Sequence, residues 1–354
     1  MTDASAPFVP DSPPAQAAAG FARADHCGPA FAALDLGTNN CRLLVAAPTA
    51  GGFRVVDSFS RIVRLGEGLA TSNRLADAAM DRAATALRAC AEKLTRRPVR
   101  RLEAVATEAC RRAANGQAFL ARITAETGLR LRIISAREEA ELAMESCAPL
   151  LEPQDRRALL FDIGGGSTEI AWIRVPPEGG APELIGYVSL PLGVVTLAER
   201  VHQDCFTERG FCEVVAEVAE HLAEFDRIHR IGQEIRAGGV RLMGTSGTVT
   251  TLAGVAMALP RYRRPLVDGK TLDCEAADLA LGDLFALGRE GLAAHPCVGP
   301  DRVEFVLPGC AVYAAIRRVW PTPRLTVADR GLREGMLTRM MRAERAGPRR
   351  RPLR

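Results

Sequence analysis

The chain has 354 residues, which is long enough for two domains, and its 47% apolar and 25% charged composition is that of an ordinary soluble globular protein. The net charge of +4 is too small to indicate general nucleic-acid binding. The ten cysteines contain no Cys-x-x-Cys pair and the five histidines lack zinc-ligand spacing, so we expect reduced core cysteines and no zinc site. No apolar run is long enough to span a membrane and the first residues lack the order of a secretory signal, which predicts a cytoplasmic protein without a membrane partner.

The sequence divides into two predicted halves between two tails. Residues 1–29 are rich in Ala and Pro and residues 346–354 are basic, so both tails are predicted to be disordered. The polar stretch 149–157 separates a first domain, 30–152, from a second domain, 153–345.

Strands and helices alternate in the first half, which predicts mixed α/β layers. Thr107 is expected to cap a helix, Gly128 to end one, and Ser135 with Glu138 has the spacing of a capping box. The predicted strands cover 31–34, 43–47, 52–65, 102–106 and 129–134, and the predicted helices cover 73–95, 115–127 and 135–147.

The second half alternates in the same way and closes with a helix. A hairpin tip is expected at 176–182, where prolines and glycines interrupt the apolar pattern. The predicted strands cover 158–161, 170–175, 183–190, 239–243 and 325–328, and the predicted helices cover 213–230, 249–258, 278–287, 303–319 and 332–345.

Two glycine turns, each with an acidic residue at its mouth and an apolar strand on either side, are the most informative feature. They read Asp-Leu-Gly-Thr-Asn-Asn at 35–40 and Asp-Ile-Gly-Gly-Gly-Ser-Thr-Glu at 162–169. Glycines allow positive φ and leave backbone N–H groups uncovered, so such turns can cradle phosphate oxygens, while the carboxylate can hold a hydrated divalent cation. Two turns predict a duplicated architecture with a phosphate site between the halves. The candidate phosphate-binding residues are Gly37, Thr38, Asn39, Asn40, Gly164, Gly165, Gly166, Ser167 and Thr168.

A third candidate loop joins the predicted strand 239–243 to the predicted helix 249–258. A helix N-terminus favours anions because its first N–H groups are free and the helix dipole is positive there. The loop residues are Gly244, Thr245, Ser246, Gly247 and Thr248.

Two further pairs of residues are candidates for phosphate binding or catalysis, and each pair also has a purely structural explanation. Arg111 and Asn115 are four residues apart and would share a helix face, where a guanidinium can grip a phosphate; a solvated, capped helix explains the spacing equally. Glu138 and Glu139 open the helix at 135–147, where the helix dipole favours acids, and one of them can act as a general base that takes a proton from water.

The ordered set of motifs resembles the exopolyphosphatase/guanosine pentaphosphate phosphatase (Ppx/GppA) family, within the actin–Hsp70–sugar kinase superfamily. The resemblance runs from about residue 32 to 340 and also includes the phrases at 106–115, 133–140, 189–193, 244–253 and 331–335. It implies two ribonuclease-H-like α/β domains flanking a cleft, a last helix packed on the first domain, and hydrolysis of a terminal phosphoanhydride with Mg²⁺ or Mn²⁺. A homodimer, a monovalent cation such as K⁺, and a short form without the helical C-terminal domain of long members are also implied.

Site roles follow from the same resemblance. It implies that Glu139 is the base that activates water, with Glu138 as the alternative, and that Arg111 is a clamp on phosphate oxygens. Asp162 and Glu169 are implied to be metal-side carboxylates with Asp35 opposite, and 164–166 with 244–248 the phosphate cradles. Two departures are Asn40, where Ser is common, and Ala136, where Gly is usual.

Inorganic polyphosphate is therefore the expected substrate, and exopolyphosphatase the expected activity. The closest alternative is hydrolysis of guanosine pentaphosphate (pppGpp), the alarmone of the stringent response, to the tetraphosphate. A small-molecule kinase of the same superfamily and a non-catalytic sensor of polyphosphate or (p)ppGpp are more remote alternatives, and nucleic acid is not an expected partner.

Overall fold

The computed structural model describes residues 30–201 and 204–345 and contains two β-sheets with helices around them. The predicted disordered tails 1–29 and 346–354 lie outside these described residues. None of the helices within 30–201 and 204–345 combines the length and the apolar character needed to cross a membrane.

The strands and helices alternate along the chain, as predicted. The strands are β1 (Phe31–Leu36), β2 (Asn40–Thr49), β3 (Gly52–Ile62), β4 (Arg101–Ala106), β5 (Arg132–Ile133), β6 (Arg157–Ile163), β7 (Thr168–Arg174), β8 (Glu183–Leu190), β9 (Val240–Thr245), β10 (Thr271–Asp273) and β11 (Arg324–Ala328). The helices are α1 (Leu69–Ser72), α2 (Asp77–Arg96), α3 (Glu108–Arg112), α4 (Gly116–Thr127), α5 (Ala136–Cys147), α6 (Val194–Val201), α7 (Glu208–His229), α8 (Ile231–Ala237), α9 (Ser246–Ala256), α10 (Arg264–Val267), α11 (Cys274–Ala286), α12 (Gly288–Ala294), α13 (Val303–Val319) and α14 (Leu332–Arg345).

The two sheets repeat one topology. The first has the order β3-β2-β1-β4-β5, and the second has β8-β7-β6-β9-β11 with β10 added at its edge. In each, the first three strands along the chain are antiparallel neighbours and the next two join in parallel. This repeat confirms the predicted α/β fold of two ribonuclease-H-like domains.

The central strands β1 and β6 are buried almost along their whole length because helices cover both faces of each sheet. Their apolar runs lack polar alternation for the same reason. Each sheet has a large apolar cluster of its own on one face. The glycine turns follow directly after these two most rigid strands, so their position is fixed by the two cores.

Two helices connect the sheets. The closing helix α14 leaves the second sheet after β11 and packs on the other face of the first sheet, where Met336, Leu337 and Met340 contact Phe31 and Leu44. Helix α5 lies between the sheets, with Leu142 in the α14 cluster and its Ala140, Ala143 and Cys147 against β6 and β7. The helix that carries Glu139 is therefore held from both sides.

Several element bounds differ from the predictions. Strand β5 has only two residues, and helix α7 starts five residues earlier than expected. The elements that were not predicted are helices α1, α6, α8, α10 and α12 and strand β10. The short elements carry few residues and so have weak periodicity.

The prediction that Arg111 and Asn115 share a helix face is wrong. Helix α3 ends at Arg112, and Asn115 precedes α4 instead. Its side chain accepts from the N–H of Leu75 at 2.8 Å and donates to the carbonyl of Leu75 at 3.0 Å. These bonds tie the loop before α2 to the start of α4, so Asn115 has a structural role.

The predicted caps are correct in part. Gly128 ends α4 with a left-handed φ of 72°, and the Ser135 hydroxyl accepts from the N–H of Glu138 at 3.2 Å. Thr107 precedes α3 but its side chain makes no cap bond. The nine described cysteines are all free and eight of them are buried, as expected of reduced core cysteines.

Candidate active site

The three predicted loops meet in one cavity of about 370 Å³ between the two sheets. The two glycine turns have the same internal bond: Gly37 N–H donates to the Asn40 carbonyl, and Gly164 N–H donates to the Ser167 carbonyl, both at 2.9 Å. Predicted residues that line the cavity are Asp35, Gly37, Thr38, Asn39, Asn40, Glu139, Asp162, Gly164, Gly165, Gly166, Ser167, Glu169, Thr245, Ser246, Gly247 and Thr248.

Three predicted site residues do not line the cavity. The Thr168 hydroxyl is buried and donates to the Leu192 carbonyl at 2.7 Å. Gly244 packs under Phe161, whose ring would lie 2.4 Å from a methyl group at position 244. Arg111 lies behind the cavity wall. Thr168 and Gly244 thus make structural contacts from the strands β7 and β9, next to the loops.

The glycines of the second turn are needed for close contact rather than for positive φ, which none of the three adopts. A methyl group on Gly165 would lie 3.2 Å from the backbone N of Asn39, and one on Gly166 would lie 2.6 Å from the Thr38 hydroxyl oxygen. The two turns therefore touch directly. Within the described chain, the N–H groups of Gly165 and Gly166 make no hydrogen bond, so both remain available to an anion.

The phrase at 189–193 supports the second turn from behind. The Ser189 hydroxyl donates to Glu169 Oε1 at 2.9 Å, and a methyl group on Gly193 would lie 2.4 Å from the Gly165 carbonyl. The carbonyls of Gly164 and Gly165 then accept from the N-terminal N–H groups of α6 at 2.9 and 2.8 Å. These bonds use the carbonyls of the turn and leave its N–H groups facing the cavity.

The third loop forms the N-terminus of α9, as predicted. Ser246 has a left-handed φ of 82° and its hydroxyl donates to the Ile163 carbonyl at 2.8 Å. A non-glycine residue in this region is strained, and such strain concentrates at functional sites. The Arg302 guanidinium donates to the Gly247 carbonyl at 2.6 Å and to Thr251 Oγ1 at 2.7 Å. The dipole of α9 and the free N–H groups of its first turn favour an anion in the cavity.

Three carboxyl groups of the strands meet in this cavity. Asp162 and Glu169 are direct neighbours across β6 and β7, and Asp35 ends β1 of the other sheet. One oxygen of Asp35, Oδ1, is buried without a hydrogen-bond partner within the described residues. An orphaned buried carboxylate oxygen is costly unless a ligand or a proton compensates it.

All three carboxyl groups have raised pKa values, chiefly because they are buried. Burial, and then the charge of Asp35, raise the pKa of Asp162 to about 6. Burial, and then the charge of Asp162, raise the pKa of Glu169 to about 7. Burial also raises the pKa of Asp35, against the opposing effect of the Arg42 charge. A cation bound among them would relieve both the burial cost and the repulsion.

The two adjacent glutamates of α5 face different surroundings. Glu138 is only half-buried and pairs with Arg132 at 2.6 Å, which lowers its pKa. Glu139 is buried and lines the cavity, where burial and then the charge of Glu169 raise its pKa well above that of a free Glu. Of these two glutamates, only Glu139 lines the cavity, and its raised pKa is of the kind a general base requires.

The predicted clamp Arg111 is occupied by carboxylates. It donates to Glu139 Oε2 at 2.8 Å, to Glu108 Oε2 at 3.0 Å and to the Ile134 carbonyl at 2.8 Å. The Glu139 and Glu108 charges raise its pKa against the effect of burial, so it stays protonated. This geometry orients Glu139 and offers little of the guanidinium to a phosphate.

A family model, the Ppx/GppA phosphatase family, matches residues 44–344. The chain belongs to this family.

Solved structures of family members agree with this assignment. The Aquifex aeolicus family member is 27% identical with a TM-score of 0.73, over 89% of this chain and 98% of that one. An exopolyphosphatase-like protein is 29% identical with a TM-score of 0.78, over 89% and 99%. An exopolyphosphatase from Cytophaga hutchinsonii, at 24% identity and a TM-score of 0.78 over 88% and 98%, supports the fold. As a family member the chain is a phosphatase, and so a hydrolase.

Four arginines of the cavity were not predicted: Arg42 on β2, Arg302 before α13, Arg330 after β11 and Arg333 at the start of α14. Burial lowers the pKa of Arg302 and of Arg333, and the Arg42 charge lowers both further. Arg42 lies two residues after Asn40 on one strand, so strand alternation alone places both on the same face. The positions of Arg302 and Arg333 depend on tertiary packing, which local spacing does not reveal.

We predict that Asp162→Asn stabilises the metal-free protein at neutral pH. The folded-state pKa of about 6 exceeds the ordinary value of 3.8, so the charged form costs free energy only in the fold. The contribution of Asp162 to stability is therefore fully present below about pH 4 and is lost as the pH rises through 6, by on the order of 1–3 kcal/mol. Urea unfolding in EDTA should show a higher midpoint for the variant at pH 8 and a much smaller difference near pH 4. The same difference at both pH values would contradict the assignment.

Proposed function

We propose that this phosphatase is an exopolyphosphatase, which hydrolyses the terminal phosphoanhydride of inorganic polyphosphate with a water molecule activated by Glu139. The observation that carries the proposal is the position of Glu139. Its carboxylate is buried at the start of α5 in a cavity whose walls include three loops with N–H groups available to phosphate oxygens. Phosphoryl transfer needs mainly an in-line nucleophile and charge neutralisation, and this cavity supplies groups for both.

The proposed roles of the chain's own residues follow. The N–H groups of the second turn and of the α9 N-terminus bind the terminal phosphate. Glu139 accepts the proton of the attacking water, and Arg111 holds the carboxylate of Glu139 in place. The leaving group is itself a phosphate, so no residue has to donate a proton to it.

We further propose that Mg²⁺, or Mn²⁺, binds beside Asp35, Asp162 and Glu169. More carboxyl groups than arginines line the cavity, so it repels a polyanion unless cations or protons compensate the negative charge. The seven carboxyl groups are those of Asp35, Glu108, Glu139, Asp162, Glu169, Asp329 and Glu334, and the four arginines are Arg42, Arg302, Arg330 and Arg333. No group of three or more metal-ligating side chains is preassembled within residues 30–201 and 204–345. This fits Mg²⁺, which keeps several waters and is held by one or two carboxylates with the substrate phosphates. The bound ion would neutralise phosphate charge.

Two observations favour polyphosphate over pppGpp. The cavity presents Arg42 from one sheet and Arg302 and Arg333 from the other side, which suits a chain of phosphates. Of its two aromatic residues, Tyr262 donates its hydroxyl to Asp329, and Phe305 has the Arg64 guanidinium over its ring at 5.8 Å, so each already has a polar partner within the protein. One structural relative is also named an exopolyphosphatase and another exopolyphosphatase-like. The homodimer, the K⁺ requirement, the cytoplasmic location and the two domain boundaries stay predictions.

We predict that Glu139→Gln lowers kcat for phosphate release by about 10²–10⁴-fold, because the amide cannot take the proton of water. Glu138→Gln is the matched control on the same helix turn. Glu138 pairs with Arg132 and also lies 3.7 Å from Arg339 of α14, so its variant should lose about threefold at most, far less than Glu139→Gln. Equal losses in both variants, or full activity of folded Glu139→Gln, would rule out the assigned base.

We also predict that kcat/KM is higher for polyphosphates of defined length than for pppGpp, and that EDTA abolishes release while added Mg²⁺ restores it. The arginines of the cavity are the reason for the preference for polyphosphate, and its carboxyl groups, which repel a polyanion, are the reason for the need for Mg²⁺. Phosphate release measured side by side on the two substrates tests both points. A higher kcat/KM for pppGpp would assign the protein as a pppGpp phosphohydrolase. Binding of either substrate without Mg²⁺ and without turnover would favour a non-catalytic sensor.

A further inference from the structure

The closing helix α14 approaches α5 more closely than side chains would allow. A methyl group on Gly335 would lie 2.2 Å from the backbone carbonyl oxygen of Leu142 and 2.9 Å from its carbonyl carbon. Gly335 has ordinary helical φ, so backbone freedom does not explain a glycine here. Helix propensity would favour alanine at this position. The close contact with Leu142 is therefore the reason that the residue is glycine.

The contact lies one helical turn from the proposed base. Leu142 follows Glu139 by three residues on α5, so the two are neighbours on the helix surface. The opposite side of α5 packs its Ala140 and Ala143 against the second sheet. A displacement of α14 from α5 therefore shifts or tilts the turn that carries Glu139.

Ion pairs fix the register of the two helices. Arg339 of α14 binds Glu145 of α5 at 2.6 Å and lies 3.7 Å from Glu138, and Arg342 lies 3.8 Å from Glu145. These pairs run along the same seam as the Gly335 contact. They hold α14 against sliding and rotation relative to α5, which close contact at one glycine alone does not prevent.

The start of α14 is anchored at the cavity itself. Glu334 is buried, and its carboxylate accepts from the Gly331 N–H at 3.0 Å and from Arg264 at 2.9 Å. Arg333 next to it lines the cavity. The phrase Gly331-Leu-Arg-Glu-Gly335 thus joins a cavity wall and the α5 contact within one and a half helical turns.

From this geometry we propose that Gly335 is a positioning residue for Glu139: it lets α14 seat against the Leu142 carbonyl and so sets how far Glu139 reaches into the cavity. The inference rests on the proposed function, since it assigns a role to Gly335 through the base of that reaction. Gly335 itself touches no substrate.

The test is Gly335→Ala, with Gly282→Ala as the matched control. Gly282 lies inside helix α11 and has nothing within 4 Å of a methyl group added there. Because misplacing a reacting group by ~1 Å costs up to ~10²-fold, kcat of the Gly335 variant should fall at least about tenfold. Its KM should stay within about twofold, since the phosphate loops are untouched. The Gly282 variant should match the parent protein in both.

Two further readouts separate positioning from general damage. Burial and then the Glu169 charge hold the pKa of Glu139 up, with Arg111 opposing and Asp35 adding to the rise. A Glu139 displaced toward solvent should titrate lower, so the acidic limb of the kcat–pH profile should move to lower pH in Gly335→Ala. Amide hydrogen exchange at 136–139 should quicken, with no change in the helices of the second sheet.

If Gly335→Ala does not fold, Arg339→Gln tests the same seam more mildly, with Arg227→Gln as control. Arg227 pairs with Glu224 on the surface of α7, far along the chain from the seam. We expect a kcat loss of about threefold or more for the Arg339 variant, an amount equivalent to one partly buried ion pair, and none for the Arg227 variant. Folded Gly335→Ala with unchanged kcat, or a pH profile shifted with no change in exchange at 136–139, would overturn the inference. A parent protein that releases no phosphate from polyphosphate or pppGpp contradicts the proposed function instead, and faster exchange at 136–139 would still be measurable.

Discussion

Four carboxyl groups, Asp35, Asp162, Glu169 and Glu139, share one buried cavity. Beyond the effect of burial, the Asp35 charge raises the pKa of Asp162, the Asp162 charge raises that of Glu169, and the Glu169 charge raises that of Glu139. Burying like charges together is unfavourable, and a protein keeps such a cluster only if a ligand, a cation or a proton compensates it. The fold brings these four groups together. Asp35, Asp162 and Glu169 stand on buried strands of the two sheets, and Glu139 stands on α5, which lies between the sheets.

The two glycine turns together form the anion-binding side of the cavity. The two glycine turns touch each other at Thr38, Asn39, Gly165 and Gly166, so the halves of the chain form one wall and not two separate phosphate loops. Their carbonyls are used by α6 and by the turns themselves, which leaves N–H groups for a phosphate. Acidic residues and N–H groups therefore face one space, a combination that binds a polyanion together with a cation and that suits a member of a phosphatase family.

Much of the fold and many of the site residues could be predicted because they depend on patterns between residues that are close in the sequence. Alternating strands and helices, two repeated turns and one capping box predicted the duplicated α/β fold. The candidates Asp35, Glu139, Asp162 and Glu169 all line the cavity, whereas the alternative base Glu138 does not. The rest depends on contacts between distant residues. The sequence places Arg111 near the site but does not reveal that Glu108 and Glu139 occupy it. It suggests a helix face shared by Arg111 and Asn115, and does not reveal that α3 ends between them or that Asn115 bonds to Leu75, 40 residues away. The glycines at 165 and 166 were explained by φ, whereas contact with the other turn requires them.

The central claim is that the cavity directs a water molecule, activated by Glu139, at the terminal phosphorus of polyphosphate. Hydrolysis in ¹⁸O-labelled water with Mg²⁺ and a polyphosphate of defined length tests this directly, with mass spectrometry of the products. The account predicts one ¹⁸O atom in each released orthophosphate and none in the shortened chain. Label in the shortened chain would contradict it, because water would then have attacked the other phosphorus of the cleaved bond, and orthophosphate without label would exclude attack of water on the terminal phosphorus.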